Sequence, residues 1–347
     1  MRNERLVRPL LAVLKLALAA ALIGYLAKTG CLDLRGLRSM LLGGDILAVA
    51  AAAGLFLVNQ ALAAARLRVL LRSAGVEAGT GVCFRLTMTG FVFNTALPGA
   101  VGGDLVKAHA LLKLPGERPG MAAGAVVMDR LMGALGLITL GSLSALYLVR
   151  RLADSPWAQG RGLGLAGAAA VCMAGGIVSL LLCSRSPKAR AWLKERLAKA
   201  LPAGAAYDAA AGLGRAGKDW GSLARAFGLS LVLQLVGVAG LLALARTAGA
   251  PLPPVADMAA VTLVVMLGGT LPLTPGNIGW TEFLAMAGWA AIGSQSGATV
   301  YLNWRVLTTL VSLPWGIAYL AGRGRAREDA LAPSPTPEPP AGTGARS

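Results

Sequence analysis

Apolar residues run along this chain in blocks rather than at the spacing of an amphipathic helix or strand. The blocks at Leu6–Leu26, Ile46–Ala65, Met121–Val149, Leu163–Cys183, Leu223–Ala245 and Val300–Leu320 each meet or exceed the roughly 18 residues that mark a membrane-crossing helix. Two further stretches are apolar but broken. Cys83–Leu97 stops at Pro98-Gly99, with a polar stretch, Gly102 to Gly120, beyond it. Val255–Leu271 stops at Pro272 and at Pro275-Gly276, and resumes as Ile278–Ile292. The pattern predicts an all-α integral membrane protein with six full transmembrane helices and two Pro/Gly-broken hairpins. A first domain of residues 1–322 is followed by a Pro-rich cytoplasmic tail, 323–347, expected to be disordered.

Lys and Arg set the orientation, because basic residues collect in cytoplasmic loops. Arg2, Arg5 and Arg8 place the N-terminus inside, and Arg66, Arg68, Arg72 and Arg85 place the second crossing's exit inside. The long basic connection Ser184–Arg225, which contains a possible surface helix at Ala189–Ala200, and the Arg323–Arg327 cluster follow suit, so both termini are cytoplasmic. This bookkeeping closes only if each broken segment enters and leaves on one face: Cys83–Lys113 from inside and Val255–Ile292 from outside. Arg150, Arg151 and Arg161 then lie outside, against the charge rule. Lys15 interrupts the first apolar block, where it can snorkel to the inner surface, and no small-residue cleavage site follows, so that block reads as an uncleaved helix.

Composition agrees. Of 347 residues 56% are hydrophobic and 14% charged, and the net charge is +17. In a chain of spans that surplus favours anionic headgroups rather than nucleic acid. The four cysteines (Cys31, Cys83, Cys172, Cys183) form no CxxC pair and there is one histidine, His109, in the basic stretch after the first break, where it reads as a solvated loop residue; neither a metal nor a cofactor is expected. There is no P-loop and no serine motif to complete a triad.

Candidate chemistry concentrates at the breaks. FVFNTALPGAVGGD (Phe91–Asp104) and GGTLPLTPGNIGWTE (Gly268–Glu282) share Pro-Gly-x-(Val/Ile)-Gly followed by an acid, an internal repeat. Paired interrupted helices in corresponding halves point to the binding site of an inverted-repeat transporter. Proline lacks an N–H and glycine tolerates positive φ, so the helix stops; the helix that restarts offers bare N–H groups and a positive dipole end to a phosphate. On this reasoning the substrate candidates are Asn94, Pro98, Gly99, Gly102, Gly103, Asp104 and Lys107 at the first break, and Thr274, Pro275, Gly276, Asn277, Gly279 and Glu282 at the second. Asn94 and Asn277 can satisfy broken backbone or contact a headgroup. Charges within helices need a partner or a wet cavity, so Asp129, Arg130 and Arg305 are further substrate candidates; as structural ion pairs instead, Asp129 or Asp104 can pair with Arg130, and Glu282 with Arg305.

FNTALPGAVGGDLVKA, the Asp129-Arg130 pair, LPLTPGNIGWTE and an arginine in the last helix together resemble the lysylphosphatidylglycerol synthase transmembrane-region family, the flippase-like domain family, over about Arg5 to Gly322. The resemblance implies a bacterial inner-membrane protein that translocates a phospholipid, with Asn94, Pro98, Gly102, Gly103, Asp104, Arg130, Pro275, Gly276, Gly279, Glu282 and Arg305 as site residues. Lys107 stands where an arginine is common. No aminoacyl-transferase domain is evident, so transferase activity is not implied. The expected function is a lipid transporter, not an enzyme, acting on membrane lipids that are anionic or phosphate-bearing; homo-oligomers or a lipid-biosynthesis partner enzyme are further possible partners. The alternatives are a membrane enzyme using Asp104 with His109, and an accessory subunit of a glycosyltransferase or lipid-modifying system. The first reading requires a polar cavity joining both breaks; the accessory reading predicts a filled core.

Overall fold

A computed structural model describes residues 45–96, 102–111, 120–152, 211–248, 251–271 and 273–331, together with Gly24, Lys28, Val171, Gly175, Gly176, Ala191 and Glu195. The expected helices at Leu6–Leu26, Leu163–Cys183 and Ala189–Ala200 therefore lie almost wholly outside the described residues, as do Pro98, Gly99 and Pro272.

The described residues form helices and turns, with no strand among them: α1 (Ile46–Ser73), α2 (Thr80–Ala96), α3 (Gly102–Leu111), α4 (Gly120–Arg151), α5 (Trp220–Ala245), α6 (Val255–Gly268), α7 (Trp280–Ala291) and α8 (Gly297–Leu331). Among them α1, α4 (from Met121) and α5 are long and apolar enough to cross a membrane. Local chemistry sets their ends. Asp45 caps α1 by accepting the Ala48 N–H at 3.2 Å. At its other end the chain reverses through Gly75, at φ 83°. Asp219 caps α5 by accepting from Ser222 N at 3.0 Å, and hydrogen bonds from Ser222 hold its carboxyl below the ordinary value.

Two boundaries differ from the sequence expectation. α1 continues past Ala65 to Ser73 because Leu67, Leu70 and Leu71 are fully packed, and the basic run between them rides on the helix. α8 continues through 323–331, so the first third of the expected tail is helical. His109 is exposed as expected but stands on α3 rather than in a loop.

Two core clusters define the ends of the bundle. One gathers Leu67 and Leu71 of α1, Cys83 of α2, Leu111 of α3, Ala122–Met132 of α4 and Leu223 of α5. The other gathers Leu148 of α4, Leu241 of α5, Met258 of α6, Trp289 of α7 and Tyr301 of α8. Thus α2 starts, and α3 ends, at the first end of the bundle, while α6 starts, and α7 ends, at the second. The two broken segments approach from opposite ends, and the end of α2 meets the turn before α7 between them.

Candidate functional site

The first hairpin closes on glycine. A Cβ on Gly103 would overlap the Gly90 carbonyl, so α2 and α3 touch backbone to backbone. The Gly103 N–H, one of the orphan donors of a helix start, is accepted by Asn94 Oδ1 at 2.8 Å across the break. Asp104, in the first turn of α3, is paired through Oδ2 with Arg130 Nε of α4, and its other oxygen lies 3.9 Å from Lys107 Nζ.

The second hairpin repeats this plan with different atoms. Gly276 (φ 58°), Asn277 (φ 55°) and Gly279 (φ 80°) turn the chain through the left-handed region. The carbonyls freed at the end of α6 find new donors: Trp280 Nε1 to Gly268 O at 3.1 Å, and Asn277 Nδ2 to Gly269 O. Glu282 reaches back from the third residue of α7 to accept the Gly279 N–H at 2.8 Å. It also pairs with Arg305 Nε of α8 at 2.7 Å. Arg305 then clamps the turn itself: Nη1 donates to Gly276 O at 2.8 Å, and Nη2 to Thr281 Oγ1 at 2.6 Å and Asn277 O at 3.2 Å. In each half an asparagine stitches the break, an acid opens the restarting helix, and an arginine on the next long helix holds that acid.

The end of α2 is in contact with the second break. Gly276 lies so close to the end of α2 that a Cβ there would sit 2.8 Å from the Thr95 carbonyl. Beside this contact is a cavity of about 470 Å³ at mid-bundle, reached by Thr95 and Arg130 from one half and Gly276, Asn277 and Arg305 from the other. Gln234 of α5 and Thr308 of α8 add polar walls, and Trp304 and Tyr301 add apolar ones. A second cavity of about 250 Å³ shares Thr95, Arg130, Gly276 and Asn277 and extends to Asn94 and Thr274. The larger volume falls within the roughly 300–1,000 Å³ of small-molecule sites. Arg130 borders both cavities with 49% of its side chain exposed. Thr274 Oγ1 and Asn277 Oδ1 are buried without a hydrogen-bond partner.

The family model for the lysylphosphatidylglycerol synthase TM region matches residues 12–316. The chain belongs to that family. No curated protein matches it. For this member of the lysylphosphatidylglycerol synthase TM family, the structure brings Asn94, Asp104, Arg130, Thr274, Gly276, Asn277, Glu282 and Arg305 to one locality, while Pro98 and Gly99 lie outside the described residues. Asp129 stands apart. It is buried, pairs with Arg66 Nε of α1 at 2.7 Å, and borders neither cavity. The acid available to Arg130 is Asp104, because Asp129 and Arg130, adjacent on a helix, point about 100° apart. Arg66 was legible only as a topology-setting charge; it is instead the centre of a buried triad with Asp129 and with Ser230 Oγ of α5, at 2.9 Å. Lys107 is buried rather than open to the cavity. Gln234 went unnoticed although a lone amide within LVLQLV is a visible signal. Asp104 and His109 do not form a pair: five residues on a helix separate them by about 140°.

Proposed function

We propose that this protein is a lipid transporter of the bacterial inner membrane, moving a phospholipid or other phosphate-bearing lipid whose headgroup passes through the cavity between the two breaks. The observation that carries the reading is the cavity itself, bordered by both broken segments and by the half-exposed Arg130. Arginine presents a planar fork suited to phosphate, and Gln234 and Thr308 add neutral polar groups to the cavity lining. An open mid-bundle cavity is what an accessory scaffold would not require, and the Asp104–His109 pair that headgroup chemistry would use is not assembled.

On this reading six helices cross the bilayer and the α2–α3 and α6–α7 hairpins are re-entrant, entering from opposite leaflets as an inverted repeat. Non-helical backbone at membrane depth survives only where it is buried or lines a wet cavity, and Gly276 and Asn277 of the second turn line the cavity. The first end of the bundle exposes Arg72, Arg85, Arg215, Lys218 and Arg225, and so faces the cytoplasm. Arg151, which the charge rule alone would misplace, sits 3.6 Å from Asp257 at the other end, so its charge is offset there.

The test is flipping of NBD-phosphatidylglycerol in proteoliposomes, read by dithionite quenching, with the zwitterionic NBD-phosphatidylcholine as comparison. Selective movement of the anionic lipid, lost in Arg130→Gln, is the expected result. Equal leakage with wild type and variant would end the transport reading.

A further inference from the structure

Arg130 holds Asp104 through Nε and carries one positive charge, so an anionic headgroup on the rest of its guanidinium competes with Asp104 for that charge. A carboxylate left without a partner in a water-poor site is expensive, so a bare Asp104–Arg130 pair would resist the ligand. The structure supplies an alternative. Lys107 stands one helical turn after Asp104, with Nζ 3.9 Å from Asp104 Oδ1: near enough to attract, too far for a full hydrogen bond. Lys107 is buried at 9% exposure and borders neither cavity, so it is not placed to meet the lipid directly. Its aliphatic stem lies over Gly90, where a Cβ would run into Lys107 Cε; the side chain is held beside the acid by a groove that only glycine leaves open.

We propose that Lys107 is the reserve counter-ion of the site: when an anion engages Arg130, the Asp104 carboxylate transfers its pairing to Lys107. The exchange rests on the headgroup reading above but concerns binding at Arg130, whether or not transport follows. It also separates the two arginines. Glu282 already has the Gly279 N–H and the Thr281 hydroxyl, and Arg305 is held by four partners, so that half stays closed while the Asp104 half yields. Lys107 acts through Asp104 and is a positioning residue.

The experiment is a binding titration of dihexanoyl-phosphatidylglycerol against the detergent-purified full chain, followed by thermal shift, with folding of each variant checked by size-exclusion profile. Saturable binding is expected for wild type. Lys107→Met weakens it roughly tenfold, Lys107→Arg restores it, and Gly90→Ala, which displaces the lysine without touching a charge, weakens it in the same direction. In an Asp104→Asn background there is no carboxylate to rehouse, so adding Lys107→Met changes nothing further. An equal loss from Lys107→Met in both backgrounds, no loss in either, or no saturable binding by wild type overturns the proposal. Binding with this pattern but without flipping in the proteoliposome assay leaves the exchange standing and removes transport.

Discussion

Gly276 faces the carbonyl of Thr95 at a separation that excludes even a methyl group, so the turn of the second hairpin rests on the last turn of the first. This contact makes the two breaks one site. It carries a prediction. Gly276→Ala meets both a φ of 58° and the Thr95 oxygen, 2.8 Å from the new Cβ, and should cost roughly 3 kcal/mol. Gly293→Ala is the control: its φ is 87°, but nothing lies within 4 Å of the added carbon, so only the backbone strain of about 1–2 kcal/mol applies. Thermal unfolding in detergent should rank the two in that order, with flipping lost only in Gly276→Ala. Equal effects would mean that the inter-hairpin contact is unimportant.

The two arginines should differ in their tolerance of lysine. Arg305 uses Nε, Nη1 and Nη2 on Glu282, two backbone carbonyls and Thr281. An ammonium has no such planar reach, so Arg305→Lys should unlock the turn and abolish transport. Arg130, half exposed on the cavity, would lose its planar fork but keep its charge as lysine, so Arg130→Lys should keep a reduced but measurable fraction of the rate. Flipping assays on the pair decide this; a dead Arg130→Lys beside an active Arg305→Lys would reverse the roles assigned here.

Arg66 and Asp129 tie α1 to α4 away from the cavity, with Ser230 bringing in α5. Removing one charge leaves the other buried and unpaired, a loss of about 3–5 kcal/mol. Arg66→Met and Asp129→Leu should each reduce thermal stability strongly, and the double variant should recover most of it, as apolar replacements of buried pairs commonly do. Binding of short-chain anionic lipid per folded molecule should be unchanged in the double variant. A tenfold loss of affinity there would return Asp129 to the substrate site.

What the sequence disclosed and what it hid follow one physical line. Chain breaks are local chemistry: proline and glycine stop a helix wherever it packs, so Pro275-Gly276 and the glycines before Asp104 could be read directly. The Glu282–Arg305 pair was legible because a charge inside an apolar block demands a partner and few were on offer. The Arg66–Asp129 pair was not, because an arginine at the end of a span looks the same whether it faces water or turns inward; its inward turn depends on Gly133 of α4, where a Cβ would come within 3.0 Å of the guanidinium. Long-range packing of that kind leaves no trace in local spacing. The contact of Thr95 with Gly276 is equally non-local, and with it the cavity.

The opposed entry of the hairpins is open to direct labelling. In a background with Cys31, Cys83, Cys172 and Cys183 replaced by alanine, single cysteines at Arg85 and His109 report the two arms of the first hairpin, and at Leu252 and Gln295 the two flanks of the second; all four positions are exposed. If α2 and α3 turn back within the bilayer, Arg85→Cys and His109→Cys react with a membrane-impermeant maleimide only after the inner face is opened. Leu252→Cys and Gln295→Cys then react in intact cells. The inference is sharp because a hairpin that crossed fully would put its two reporters on opposite faces, and the number of crossings before Arg215 and Lys218 would change by one. Those exposed cations would then lie outside, against the charge rule. Labelling of Arg85→Cys and His109→Cys from opposite sides would therefore remove the re-entrant arrangement, and with it the reason for the two broken segments to share a cavity at mid-membrane.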